Sequence, residues 1–272
     1  MKNWFRRAVI WSLALSFFAA DGAVAASEDS QKSLVLVAGA TGRTGEDIVK
    51  QLLAENYRVR GLVRDRVKAE QMFGSSIEYA VGDVRETATL PAAMKGAAYV
   101  VCAIGSTRGD PTNSPEQVDY RGVANLADAA RAAGVRQFVL MSAMGVTHPD
   151  EMLRQGRERP SGPGLPPPGL LELKLKGENH LRASGLNYTI VRSAGLARVP
   201  GGQQGIKAEQ GDKPRDSKAP LAMISREDIA TVLVKALGNP DAYGKTFEVM
   251  SDAATQSVDW ANFFKRLVKD RN

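Results

Sequence analysis

Three glycines at a spacing of three carry the clearest chemistry in this chain. They fall in Gly39-Ala40-Thr41-Gly42-Arg43-Thr44-Gly45, directly after the apolar run Leu34-Val35-Leu36-Val37-Ala38. The run reads as a buried strand, and the segment after Gly45 reads as a helix. Gly39 permits a tight turn, Gly42 lets the backbone approach a pyrophosphate, and Gly45 lets the helix pack close to the strand. The N–H groups and dipole at such a helix start favour an anion. Three spaced glycines alone are weak evidence; between a strand and a helix they form a dinucleotide-binding fingerprint.

Two further positions bear on which dinucleotide. The second predicted strand, Arg58 to Val63, ends in Arg64-Asp65. An acidic residue at this strand end holds the ribose 2′-OH of NAD, whereas an arginine holds the 2′-phosphate of NADP. Arg64 comes first and Arg43 offers a second cation, so NADP is expected in preference to NAD. In the alternative, Arg64 is a solvated charge and Asp65 binds the ribose. Asp83 follows a third predicted strand, Ile77 to Val81. Its carboxylate could accept from an adenine amine, or could cap the helix that starts near Glu86.

The elements that must position these residues alternate along the chain. Ile48, Val49, Leu52 and Leu53 give Glu46 to Glu55 a helical period. Further strands are expected at Ala98 to Ile104 and Arg136 to Met141, with one long amphipathic helix, Glu116 to Ala133, between them. This alternation predicts an α/β fold, a doubly wound parallel sheet. Beyond it come a helix at Leu170 to Ala183 and a strand at Leu186 to Val191. Ser225 is a good N-cap for a helix with Asp228 in its first turn. A last strand, Phe247 to Met250, and a closing helix, Val258 to Val268, complete the pattern. Two stretches interrupt it. Val146 to Gly169 is proline-rich and follows a strand's carboxyl end, where such sheets bind ligands, so it reads as a lid or a surface insertion. Pro200 to Pro220 is glycine-rich and charged, and reads as a second loop facing the site.

Composition narrows the classes. The chain has 272 residues, 43% of them hydrophobic, enough for one large α/β domain, here taken as residues 33–272. The net charge of +6 comes from scattered Lys and Arg, without a nucleic-acid module, and fits a phosphate-bearing cofactor. Cys102 is the one cysteine, so no intrachain disulfide forms; in an apolar strand it reads as an inert core thiol. His148 and His180 lack metal-ligand spacing, and no metal site is expected.

Residues 1–26 read as a signal peptide. Lys2, Arg6 and Arg7 form its basic region, Ala8 to Ala20 its apolar region, and Ala23-Val24-Ala25 its cleavage pattern. The mature chain is then expected in a periplasm or an organelle lumen, and Arg6-Arg7 permits a twin-arginine route. The alternative is an uncleaved anchor, for which the apolar region is short. No other segment is long and apolar enough to span a bilayer.

Taken together, these pieces resemble the atypical short-chain dehydrogenase/reductases, and more narrowly their NAD(P)-binding NmrA-like and flavin-reductase-like subgroup. The likeness rests on the Gly39–Gly45 turn, Leu62-Val63-Arg64-Asp65, Gly82-Asp83-Val84 and Phe138-Val139-Leu140-Met141-Ser142. It continues through Lys174-x-x-Gly177-Glu178, Tyr188-Thr189-Ile190-Val191-Arg192 and Ile224-Ser225-Arg226-Glu227-Asp228. The resemblance implies a Rossmann domain with a small C-terminal substrate lobe. It implies cofactor contacts at Gly39, Thr41, Gly42, Arg43, Thr44, Gly45, Arg64, Asp83, Val84, Ala103 and Lys174.

Catalysis in that family rests on a Ser, a Tyr and a Lys. The Tyr exchanges a proton with the substrate oxygen, the Lys four residues on lowers its pKa and holds the nicotinamide ribose, and the Ser steadies the substrate. Ser142 matches the Ser and Lys174 the Lys, but Leu170 stands where the Tyr belongs. No tyrosine here has a lysine four residues later. Glu172, Glu178 or a water held by Ser142 could substitute, and no spacing selects one. The first expectation is an NADP-dependent oxidoreductase of a carbonyl, quinone or flavin-like acceptor. The second is a non-catalytic NADP(H)-binding redox sensor or assembly factor. The missing phenol argues against a third, a sugar-nucleotide or isomerase-type enzyme. No motif names the substrate or a protein partner.

Overall fold

The computed structural model describes residues 33–107, 109–151, 169–214 and 222–271. The predicted signal peptide, most of the proline-rich stretch and the end of the glycine-rich one lie outside the described residues.

The first apolar run is β1, Leu34–Ala38, buried throughout. Its alternate residues feed two separate cores, as a strand covered on both faces requires. Val35 and Val37 pack on one face with Ile48, Val49, Leu52, Ile229 and Leu233, while Leu36 and Ala38 pack on the other with Leu90, Leu126 and Leu181. The helices flanking the sheet are α1 (Arg43–Ala54), α2 (Arg66–Phe73), α3 (Leu90–Met94), α4 (Val123–Ala132), α5 (Leu170–Ala183) and α6 (Arg226–Ala236).

The sheet is Rossmann-like and mostly parallel. Its strands are β1, β2 (Arg58–Val63), β3 (Glu78–Val81), β4 (Tyr99–Cys102), β5 (Gln137–Ala143), β6 (Tyr188–Ser193), β8 (Gly205–Glu209) and β10 (Lys245–Asp252). They run in the order β3-β2-β1-β4-β5-β6-β10-β8, and β7 (Gly195–Ala197) pairs with β9 (Met223–Ser225) in a small second sheet. The order reverses between β1 and β4, and the carboxyl ends of those strands form the crevice where such sheets bind ligands.

Four expectations need correction. The predicted strand Arg136 to Met141 runs on to Ala143, so Ser142 lies within β5 and not beyond it. The predicted helix Glu116 to Ala133 is π-helical over Glu116–Gly122 and α-helical only from Val123; both windings carry the same apolar residues inward. The stretch Pro200 to Pro220 contains β8, antiparallel to β10; a short edge strand rich in glycine and charge reads as a loop. The predicted closing helix shrinks to α7, Trp260–Phe263. No helix among the described residues is long and apolar enough to cross a membrane.

Candidate functional site

The turn between β1 and α1 is built with no space to spare. Gly39 has φ +88°, and a Cβ there would fall 2.7 Å from the Ala103 carbonyl oxygen. A Cβ on Gly45 would fall 2.0 Å from the Gly39 carbonyl oxygen, so the helix meets the strand end backbone to backbone. The Gly42 amide donates to that same oxygen at 2.9 Å. Gly42 is the N-cap of α1, and no side chain caps the first turn. The leading amides of α1 therefore face outward with the positive end of the dipole, an arrangement suited to a pyrophosphate.

A cavity of about 250 Å³ opens from this turn. It is lined by Gly39, Thr41, Gly42, Arg64, Asp83, Val84 and Ala103, all expected from the sequence, and also by Lys68 and Asn113. Lys68, in the first turn of the helix that follows, was missed. Arg64 Nη1 donates to Asn113 Oδ1 at 3.5 Å, and Asn113 Nδ2 is itself held by Thr107 Oγ1 at 2.7 Å. Asp65 does other work. Its Oδ1 accepts from the Lys68 amide at 3.0 Å and caps α2. Asp83 lines the cavity, but its carboxylate is engaged by Arg85, whose Nε and backbone amide both reach Oδ1 at 2.9 Å. This guanidinium holds the Asp83 carboxyl below the usual carboxylate range. The helix cap expected of Asp83 is not formed: the short 3-10 helix Thr87–Thr89 has Glu86 as its N-cap and no side-chain cap, and the Asp83 carboxylate holds Arg85 instead.

Arg43, Thr44, Gly45, Ser142 and Lys174 do not line this cavity. Thr44 and Gly45 are buried in the first turn of α1. Ser142 is buried in β5 opposite Arg192 of β6. Its Oγ has no hydrogen-bond partner, an unusual state for a buried hydroxyl. Lys174, in the second turn of α5, places Nζ 2.6 Å from Asp119 Oδ1. Asp119 sits in the π-helical segment, and its Oδ2 accepts from the Ser106 amide at 3.0 Å. The carboxylate thus ties α5 to the loop after β4. Gly177 makes this approach feasible, because a Cβ there would lie 2.7 Å from the Asp119 carbonyl oxygen. Asp119 was not singled out in the sequence; its partner lies 55 positions away.

Behind Lys174, a buried ionic cluster fixes α5. Glu178, one turn on, is fully buried and receives Arg192 Nη2 at 2.7 Å and Arg182 Nη2 at 2.8 Å. It is therefore neither a surface charge nor a free acid–base group. Arg192 also donates to Glu248 Oε1 at 3.1 Å. Asp212, from the glycine-rich stretch, accepts from the Gly145 amide at 2.6 Å and from the Thr147 amide at 2.9 Å, pinning the chain just after β5. Cys102 is buried, and desolvation pushes its thiol up to about 12, so it is inert at neutral pH. His180 Nε2 lies 2.8 Å from Asp128 Oδ1 on the helix surface.

The glycine cradle and the cationic cavity mouth fit a dinucleotide. Fold and site together define a Rossmann-type dinucleotide-binding protein. The chain belongs to the NAD(P)H-binding family, whose model matches residues 39–240. It is 30% identical to sanguinarine reductase of Eschscholzia californica over 261 residues, covering 83% of this chain and 91% of that one. An uncharacterised chloroplast protein of Arabidopsis thaliana is 35% identical over 236 residues, covering 85% and 81%. The photosystem II assembly factor Ycf39 of Trieres chinensis is 28% identical over 242 residues, covering 86% and 68%. Among solved structures, a short-chain dehydrogenase/reductase of Veillonella parvula in complex with NADP superposes with a TM-score of 0.62 at 17% identity, covering 82% of this chain and 96% of that one.

Proposed function

We propose that this chain is an NADP-dependent oxidoreductase of a carbonyl, quinone or flavin-like acceptor. The observation that carries the cofactor choice is the division of labour at the end of β2. Arg64 and Lys68 line the cavity, while the Asp65 carboxylate is committed to capping α2. Two cations at the mouth suit a 2′-phosphate, and Asp65 does not line the cavity. Residues 33–272 act as one NAD(P)-binding domain, with β7, β9 and their flanking loops as a small substrate lobe.

When bound, the dinucleotide supplies the hydride. The glycine turn and the α1 N-terminus hold its pyrophosphate, and Arg64 and Lys68 hold its phosphorylated ribose. Lys174, fixed by Asp119, presents a cation to the nicotinamide ribose. The Ser142 hydroxyl, with no internal partner, is available to hydrogen-bond the acceptor oxygen. With Leu170 in place of a phenol, proton transfer falls to water held by Ser142, which suits acceptors that need little protonation. The name of the Eschscholzia relative, a reductase, supports this reading.

A second reading keeps the cofactor and drops turnover. Leu170 favours it, as does a Lys174 ammonium already neutralised by Asp119. In that case the chain is an NADP(H)-binding sensor or assembly factor, the role that the Trieres relative's name carries. In either reading residues 1–26 are removed on export from the cytoplasm, into a periplasm or an organelle lumen. The Arabidopsis relative is chloroplastic by name. Titrating the full chain with NADPH and following nicotinamide fluorescence tests both readings, since a protein without measurable NADPH affinity would overturn them together.

A further inference from the structure

The turn that follows Ser142 is held from a distant part of the chain. After β5 ends at Ala143, the Met144 amide donates to the Ser193 carbonyl of β6 at 3.0 Å. The chain then leaves the sheet, and its next donors converge on one side chain. Asp212 Oδ1 accepts from the Gly145 amide at 2.6 Å. Asp212 Oδ2 accepts from the Thr147 amide at 2.9 Å and from the Thr147 hydroxyl at 2.8 Å. Val146, between the two, is fully buried. The turn also closes on itself, with the His148 amide donating to the Gly145 carbonyl at 3.1 Å. Asp212 is therefore not needed to form the turn; it fixes where the turn sits against the sheet.

Asp212 is itself held in place against a conformational cost. Its φ is +45°, in the left-handed region that residues other than glycine seldom adopt. Such a conformation persists where the surroundings enforce it. Here the Asp212 amide donates to Glu248 Oε2 at 3.0 Å, and the residue is buried. Glu248 Oε1 accepts from Arg192, which also donates to Glu178 on α5. In the sheet, Arg192 is the register partner of Ser142 on one side and of Glu248 on the other. The Asp212 carboxylate thus joins the turn after Ser142 to a buried network that ends on α5, the helix that carries Lys174.

We propose that Asp212 is a positioning residue for the acceptor: it clamps residues 144–147 at the carboxyl ends of β5 and β6 and so fixes the wall beside the Ser142 hydroxyl, against which a carbonyl or quinone oxygen sits. This inference rests on the oxidoreductase reading, in which Ser142 meets the acceptor. The dinucleotide cavity is lined by other elements, and neither Asp212 nor residues 144–147 belong to it. Loosening the clamp therefore separates acceptor affinity from cofactor affinity.

Asp212→Asn in the full chain tests the clamp. Asparagine tolerates the left-handed backbone and keeps the shape of the side chain, but it sets an NH2 group against a donor that the carboxylate held. With menadione as the quinone probe, kcat/KM is expected to fall about tenfold or more, the worth of a charge-assisted hydrogen bond, and chiefly through KM. NADPH affinity, read by fluorescence, is expected to stay at the wild-type value. Thr147→Val, at an exposed position, loses only the hydroxyl bond. It is expected to change menadione kinetics in the same direction by less, and it decides the matter if Asp212→Asn misfolds. Calorimetry of menadione on the NADP-loaded chain runs beside the kinetics and needs no turnover. Menadione affinity and KM unchanged in both variants overturn the proposal. A parallel loss of menadione and NADPH affinity also overturns it, being the mark of a general structural role. A wild type that binds menadione without oxidising NADPH overturns the oxidoreductase reading alone, and the binding comparison still decides the clamp. A wild type that neither binds nor reduces menadione overturns both.

Discussion

Lys174 Nζ lies 2.6 Å from Asp119 Oδ1, and the two side chains differ in their access to water: Lys174 is 17% exposed and Asp119 fully buried. The pair is therefore asymmetric. Removing Lys174 strands a buried carboxylate, whereas removing the Asp119 charge leaves an ammonium whose stem can turn towards solvent. Lys174→Met is expected to cost about 3–5 kcal/mol of folding stability, and Asp119→Asn clearly less. Urea unfolding of both variants checks the order; equal or reversed losses would contradict the buried pairing.

The end of β2 separates cofactor choice from helix capping. Arg64→Glu is expected to weaken NADPH at least tenfold, the worth of about 1.5–3 kcal/mol of charge-assisted bonding, with NADH little changed. Asp65→Ala is expected to cost about 1 kcal/mol of stability through the lost cap, with both affinities retained. Fluorescence titration of the two variants with the two cofactors reads this directly. A selective loss of NADH in Asp65→Ala would instead place Asp65 on the ribose.

Gly45→Ala introduces a methyl group 2.0 Å from the Gly39 carbonyl oxygen. No flexible side chain is there to give way, so α1 must shift off β1 and the turn must open. Overpacking of this kind costs about 1–3 kcal/mol or more. NADPH affinity is expected to collapse along with the melting temperature. A variant that melts and binds like wild type would show that the turn does not seat the pyrophosphate.

Glu248 is buried between Arg192 Nη1 at 3.1 Å and the Asp212 amide at 3.0 Å. Burial nevertheless raises its carboxyl above the usual range, outweighing these partners. A raised folded pKa means that the folded state holds the proton more tightly than the unfolded state. Its contribution is present below the unfolded value and is lost as pH rises through the folded one. Relative to wild type, Glu248→Gln is therefore expected to gain stability as pH rises above the unfolded value of about 4.3 and through the raised folded one. Denaturant midpoints across that range check the trend, and a flat or opposite difference would refute it.

Much of this was legible in one dimension because strand alternation and glycine chemistry are local. The turn at Gly39, β2 and α5 fall where their patterns place them. What was not legible depends on contacts distant in sequence. Asp119 matters through Lys174, and Glu178 is buried because Arg192 arrives from β6 to neutralise it. The apolar period of residues 116–133 fits an α-helix and a π-turn equally well, so the change of winding at Gly122 left no mark. β8 forms because β10 offers it an edge, which its own glycine and charges do not advertise.

The most direct test of function is the rate at which the full chain oxidises NADPH with a quinone or flavin acceptor, compared with Ser142→Ala and Lys174→Ala at saturating cofactor. An oxidoreductase is expected to lose rate by about 10²-fold or more when a group positioned at the reacting atoms is removed. A slow background rate that neither substitution changes would contradict turnover at this site and leave a protein that binds NADP(H) without using it.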